Sequence, residues 1–322
     1  MFRNLSHVCS RATHVGVKNA SGEEDAHTGI PYSVRMSEER VKTAILGVGR
    51  WGKNVARELA TQSELVAYAQ RGEVDNGMTE IEGVEKMSTA QVRDRTDIQA
   101  VWIATPIDTH ANIARVMLEA GKHVMCEKPL ALEAAEAEAL ASLADEKGLT
   151  LATGYVFLYH PVYQEMRRLL ASDTIASVEC EWNKYGTFAE SIEMNLLTHH
   201  LSLSYHLLGM PQSGAYVSRE AGKTPCDKLV TELVYDNASF VSRIDRLSQA
   251  NEHRIEVRTH SGITYEWVGQ TLKKDGVVIF ESADQPLTRE VAEFLASISG
   301  GSTVVTAGRF GADVLRIHEL LK

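Results

Sequence analysis

The stretch Gly47-Val48-Gly49-Arg50-Trp51-Gly52 constrains the fold more than any other part of the chain. It follows the apolar run from Val41 to Leu46. It precedes Lys53 to Leu59, where Val55, Ala56, Leu59 and Ala60 recur at helical spacing, and a second apolar run, Leu65 to Ala69, comes next. A lone G-x-G-x-x-G is weak evidence. Between a strand and a helix, with another strand behind it, it predicts a βαβ unit that holds a dinucleotide. Gly47 allows the tight turn, Gly49 lets the backbone approach a pyrophosphate, and Gly52 lets helix and strand pack closely. The helix N-terminus then offers N–H groups and a positive dipole to the phosphates. Arg50 and Trp51 lie within the turn and join the expected cofactor-binding set.

An acid at the end of the second strand would bond the adenosine ribose. Gln70 and Arg71 stand there instead. Gln70 still bonds a hydroxyl and does not repel a phosphate. Arg71 has three readings: a partner for a 2′-phosphate, a stacking partner for adenine, or a solvated loop charge. The cofactor is therefore NAD(P), with NADP slightly favoured.

A third strand, Ala100 to Ala104, ends in Thr105-Pro106, and a helix runs from His110 to about Gly121. A fourth strand, His123 to Cys126, ends in Glu127-Lys128-Pro129. The helix Ala131 to Lys147 and the strand Thr150 to Thr153 follow. Strands alternating with helices predict parallel winding, with ligands at the C-terminal strand ends. Thr105, Pro106, His110, Glu127 and Lys128 fall at that edge. From about Ser177 the texture changes to paired strands on tight turns, such as Asp236-Asn237-Ala238, His260-Ser261-Gly262 and Asp275-Gly276. These are antiparallel hairpins, and two helices, Thr288 to Ile298 and Gly311 to Leu321, close the chain. The expected division is a 1–38 extension, a 39–158 NAD(P)-binding Rossmann domain and a 159–322 α+β domain for substrate and oligomerisation.

Composition narrows the class. The 322 residues are 44% hydrophobic and 24% charged, enough to build cores. No run of 18 apolar residues exists, and a net charge of −10 without a basic cluster argues against nucleic acid and membrane partners. Cys9, Cys126, Cys180 and Cys226 form no C-x-x-C motif; they read as reduced thiols in a cytoplasmic protein, with no metal site. Residues 1–35 show no amphipathic period. They read as a disordered extension (with Met36 as an alternative start), as a transit peptide, or as an ordered arm.

The order of G-x-G-x-x-G, then Ile103-Ala104-Thr105-Pro106 with His110 four residues on, then Ala120-Gly121-Lys122-His123-Val124 and Glu127-Lys128-Pro129-Leu130-Ala131, resembles the glucose-fructose oxidoreductase/inositol dehydrogenase/MocA family. The resemblance covers about residues 41 to 321. It implies an α/β protein: an N-terminal Rossmann parallel sheet followed by an α+β domain on an open, mainly antiparallel sheet. It further implies NAD(P)-dependent oxidation or reduction of sugars, cyclitols or nucleotide sugars, with Lys128 steadying the reacting oxygen. The family's D-x-x-x-H-x-x-D pattern before L-x-G places His199 at the acid/base position. The flanking acids are Asn195 and Ser202 here, so His199 lacks its usual carboxylate.

Helical spacing puts Asn195, His199, Ser202 and His206 on one polar stripe. His200 points about 100° away. A metal shared by His199 and His206 is excluded, because seven residues span about 10 Å of helix. If His199 takes the proton, its pKa is expected near 6–7, toward the lower end. Tyr155, Tyr159 and His160, in the segment between domains, are substrate contacts or crossover packing. Lys184 and Tyr185 are pocket or surface. Two other functions remain open: a regulator that binds dinucleotide without turnover, favoured by Asn195 and Ser202, and a reductase of a non-sugar carbonyl. An open sheet face predicts a homo-oligomer, dimer or tetramer.

Overall fold

The computed structural model describes residues 40–72, 78, 81–300 and 303–321. The readings for residues 1–38 fall outside these.

Six parallel strands form the first sheet: β1 (Lys42–Leu46), β2 (Glu64–Ala69), β3 (Glu85–Lys86), β4 (Ala100–Ile103), β5 (His123–Glu127) and β6 (Leu151–Gly154). Their order is β3-β2-β1-β4-β5-β6, the doubly wound arrangement that opens a crevice between β1 and β4. β4 is buried along its whole length, as a parallel strand covered on both faces must be. The helices are α1 (Gly52–Gln62), α2 (Thr89–Asp94), α3 (His110–Glu119) and α4 (Ala134–Lys147). α2 begins on a reciprocal cap between Ser88 and Gln91. α4 ends on Gly148 at φ 63°, a left-handed position suited to glycine.

The second sheet has eight strands: β7 (Ile175–Lys184), β8 (Ser213–Glu220), β9 (Lys228–Val234), β10 (Ser239–Asp245), β11 (Asn251–Thr259), β12 (Thr264–Val268), β13 (Thr271–Lys274) and β14 (Val277–Glu281). The order is β14-β13-β12-β11-β7-β10-β9-β8. Every pair is antiparallel except β7 with β10 at the centre. Helices α5 (Pro161–Leu170) and α6 (Thr198–Leu208), with α7 (Pro286–Ile298) and α8 (Phe310–Leu320), complete the chain. α6 is entered through a π-helical turn, Glu193–Leu197.

One face of this sheet is core, with Val178, Cys180 and Trp182 from β7 and Phe240 and Ile244 from β10 buried. The other face is partly charged. It carries ion pairs: Arg243–Glu179 at 3.1 Å, Arg254–Glu266 at 2.6 Å and Lys273–Glu266 at 2.8 Å. Beside these pairs the sheet leaves Val217 of β8, Val234 of β9 and Val277 of β14 exposed.

The last two helices return to the first sheet. Gln62 of α1 bonds the Thr288 carbonyl, Glu319 accepts from the Ala134 N–H at 2.8 Å, and Arg316 pairs with Glu138 of α4. Ala312 and Leu315 are buried among Rossmann-layer residues. A division at residue 158 is thus crossed again by the end of the chain. Among the described residues no helix is long and apolar enough to cross a membrane. Cys126, Cys180 and Cys226 are free and buried.

Candidate active site

The glycine turn is built as its sequence demands. Gly47 has φ +94°, and a Cβ there would collide with the Ala104 carbonyl; a Cβ on Gly52 would collide with the Gly47 carbonyl. A Cβ on Gly49 would meet nothing within 4 Å. Gly47 and Gly52 therefore serve packing, and Gly49 faces open space. α1 has no side-chain cap. This is a cradle that fits a pyrophosphate. Gln70 is otherwise engaged. Its Oε1 accepts from the Val48 N–H at 2.9 Å and its Nε2 donates to the Arg71 carbonyl, so it braces the turn rather than presenting itself to a ribose. Arg71 is exposed.

A cleft of about 830 Å³ runs from this turn to the second sheet. Arg50, Trp51, Thr105, His110, Glu127, Lys128, Lys184, Asn195 and His199 line it. His110 ties two strand ends together, with Nδ1 2.8 Å from the Pro129 carbonyl oxygen and Nε2 2.8 Å from that of Thr105. Burial holds its pKa down against those two carbonyls. Pro106 only leads into the turn before α3. Glu127 accepts from the Trp51 indole at 2.6 Å and the Trp102 indole at 3.1 Å. Burial raises its pKa, and the indoles and Lys128 oppose the shift.

Lys128 reaches across to the other wall. Its Nζ donates to the Asn195 carbonyl at 2.7 Å and to Asn195 Oδ1 at 3.0 Å. Burial pulls its pKa down to about 8. Asn195, on the π-helical turn, thus holds the lysine. His199 is buried against Phe157, with ring centroids 4.7 Å apart, and Trp182, at 5.7 Å. Its Nδ1 has no partner among the described residues. Ser202, in the acid's position, spends its hydroxyl on the His199 carbonyl at 2.7 Å. Burial first, then Lys128, His253, His200 and Lys184, push the His199 pKa well below the usual range. The expected value near 6–7 is corrected accordingly, because every influence on this ring opposes a positive charge.

The expected polar stripe also divides. Asn195 and His199 face the cleft, while His206 bonds the Tyr163 hydroxyl at 2.7 Å. His200 bonds Ser242 at 2.7 Å and His253 at 2.9 Å, on the sheet side. Among the described residues no cluster of three or more His, Cys, Asp or Glu is arranged to hold a metal.

Matches to known proteins agree with this geometry. Residues 41–155 match the model of the oxidoreductase family with an NAD-binding Rossmann fold, the glucose-fructose oxidoreductase/inositol dehydrogenase/MocA group. An inositol 2-dehydrogenase of Rhizobium meliloti is 30% identical over 87% of this chain and 95% of its own. The chain belongs to this family. A UDP-N-acetylglucosamine 3-dehydrogenase of Acidithiobacillus ferrooxidans is 30% identical over 52% of the chain, and the match spans about half of that relative, 55%. Its solved structure superposes with a TM-score of 0.75 at 23% identity, covering 87% of this chain and 96% of that one. As in the family, the cofactor is NAD(P).

Three residues singled out beside the pocket do not line it. Tyr155 is fully buried and its hydroxyl has no partner among the described residues; Tyr159 bonds Thr306 at 3.2 Å in the core; His160 caps α5 and lies against Trp267 at 4.7 Å. The 3₁₀ turn of this segment faces Phe157 and Val156 into the cleft instead. Sequence reasoning missed Phe157, Trp182 and Glu190. Trp182 had a signal, since it precedes Lys184 by two residues on an alternating strand. Glu190, in a loop, had none.

Proposed function

We propose that this protein moves a hydride between NAD(P) and a secondary alcohol or ketone of a sugar, cyclitol or nucleotide sugar. The observation that carries the reading is Lys128: a half-buried ammonium just beyond β5, fixed by Asn195, in the same cleft that Arg50 of the glycine turn and His199 line. The nicotinamide, when bound, accepts or gives the hydride. Lys128 holds the reacting oxygen. With its pKa near 8, it takes the hydroxyl proton in oxidation and returns it in reduction. His199 stays neutral and orients the hydroxyl by a hydrogen bond. Phe157 and Trp182 give the apolar face of a sugar ring its floor and exclude water. The test is turnover, followed by nicotinamide absorbance, of polyols and nucleotide sugars with NAD and with NADP. The unpartnered Nδ1 of His199 favours one second reading, a dinucleotide-binding regulator. Tight NAD(P) binding without turnover of any such substrate would select it.

A further inference from the structure

The cleft holds a cation that hydride transfer leaves unused. Lys184 ends β7 two residues beyond Trp182, so strand alternation sends both side chains to the same face, and both line the cleft. Its Nζ lies 5.4 Å from the Trp182 ring centroid. Lys184 is half-buried, and among the described residues no carboxylate pairs with it. Burial lowers its pKa, and the charge that adds to this is another cation, Arg50, on the glycine turn. Glu190 shares the cleft, but its charge acts on Lys128. Lys184 in turn acts on Lys128, His199 and His253, which places its ammonium within electrostatic reach of the reacting groups. Phe157 and Trp182, with ring centroids 5.4 Å apart, lie in the same wall. An ammonium held partly out of water next to a like charge is unfavourable until an anion joins it.

We propose that Lys184 receives an anionic group of the substrate, a carboxylate or a phosphate, and thereby selects charged sugars over neutral ones. This rests on the oxidoreductase reading and adds the chemical class of its substrate. The sugar ring lies on Phe157 and Trp182, its reacting hydroxyl meets Lys128, and its charge meets Lys184, with Arg50 adding a positive field from the opposite wall. Neutralising Lys184 also relieves one of the influences that hold the Lys128 and His199 pKa values down, so binding and proton transfer are coupled.

The experiment uses the full chain saturated with NADH and calorimetric titration of D-glucuronate, glucose 1-phosphate and neutral D-glucose. A hydrogen bond to a charged group is worth about 1.5–3 kcal/mol, so at least one charged probe should bind roughly 10- to 100-fold tighter than glucose. Whichever gains more identifies carboxylate or phosphate. Lys184→Met should bring the charged probe to within about threefold of glucose, and Lys184→Arg should keep most of the preference, both with NADH affinity unchanged. Equal binding of glucose and both charged probes by the wild type overturns the proposal, as does the absence of binding by either charged probe. A loss of NADH affinity in Lys184→Met equal to the loss for the sugar also overturns it, by assigning the lysine to the cofactor. Turnover of neutral polyols alone would leave the oxidoreductase reading standing and remove only this one. Failure of the wild type to bind NADH or NADPH would remove both.

Discussion

The two walls of the cleft are made of different material. The Rossmann wall starts in backbone, with three glycines within six residues, a strand end and a helix N-terminus, and adds the side chains of Trp51, Glu127 and Lys128 beside them. The opposite wall is side chain, with Phe157, Trp182, Lys184, Asn195 and His199 gathered from a 3₁₀ turn, a strand, a π-helical turn and a helix. A backbone site needs only a conformation, which a few glycines enforce. A side-chain site needs every shape and charge in place, so it is the wall on which substrate choice can change while the cofactor stays the same.

The largest effect that would test this contrast is on catalysis. Lys128→Met should lower kcat by roughly 10²–10⁴ while NAD(P) affinity stays within a few-fold. In the wild type, the oxidative kcat should rise with pH through about 8, as the Lys128 ammonium loses its proton. The reductive kcat should fall through the same range. A rise centred between about 6 and 7, absent in His199→Ala, would return the proton to the histidine.

The glycines should separate next. Gly49→Val should fold, since its backbone is ordinary and its Cβ meets nothing. It should weaken NAD(P) binding about 10- to 100-fold, the cost of a clash of roughly 1–3 kcal/mol. Gly47→Ala should instead lose stability, because its Cβ meets the Ala104 carbonyl at a positive φ. Thermal melts and cofactor titration of the two variants tell a ligand-facing glycine from a packing one.

Glu290 of α7 tests how much the region behind the Rossmann wall gives up. It is fully buried, both carboxyl oxygens lack a partner among the described residues, and burial with Glu127 and Glu293 nearby raises its pKa far above normal. Glu290→Leu should therefore stabilise the protein by about 1–3 kcal/mol. A group whose folded pKa is raised loses stability as pH climbs from the ordinary carboxylate value through the folded one. The advantage of the leucine should thus grow above about pH 4.3. Equal melting temperatures across that range would show that Glu290 has a role its burial does not reveal. The smallest effect belongs to Arg71→Ala, which should weaken NADP about 5- to 10-fold and leave NAD unchanged. No difference between the cofactors would make Arg71 a surface charge.

The Rossmann wall was legible because each of its parts is local. A strand, a glycine turn and a helix that follow one another leave their periods in adjacent residues, and the hairpins β9–β10, β11–β12 and β13–β14 did the same. β8, α5 and α2 were not anticipated, although α5 buries Val162, Tyr163, Met166 and Leu170 on one face and α2 has its Ser88/Gln91 cap. The second wall depends on contacts between distant residues. That Lys128 would meet Asn195, 67 positions on, or that Phe157 rather than Tyr155 would face the cleft, is decided by packing. His199 was locatable through the family's pattern before Gly209. Its depressed pKa was not, because the cations and apolar rings responsible converge only in three dimensions.

The return of α8 to the first sheet sets an order on synthesis. Ala312 and Leu315 join the hydrophobic layer where α8 packs on α4 and β6, and Glu319 and Arg316 bond α4. A ribosome delivers the dinucleotide-binding half first, and domains generally fold as they emerge. Here that half leaves the tunnel with one side of its core bare, and it stays so until the whole second sheet has been made. The nascent chain therefore spends about half of its elongation with this apolar surface open to chaperones and to neighbours on the polysome.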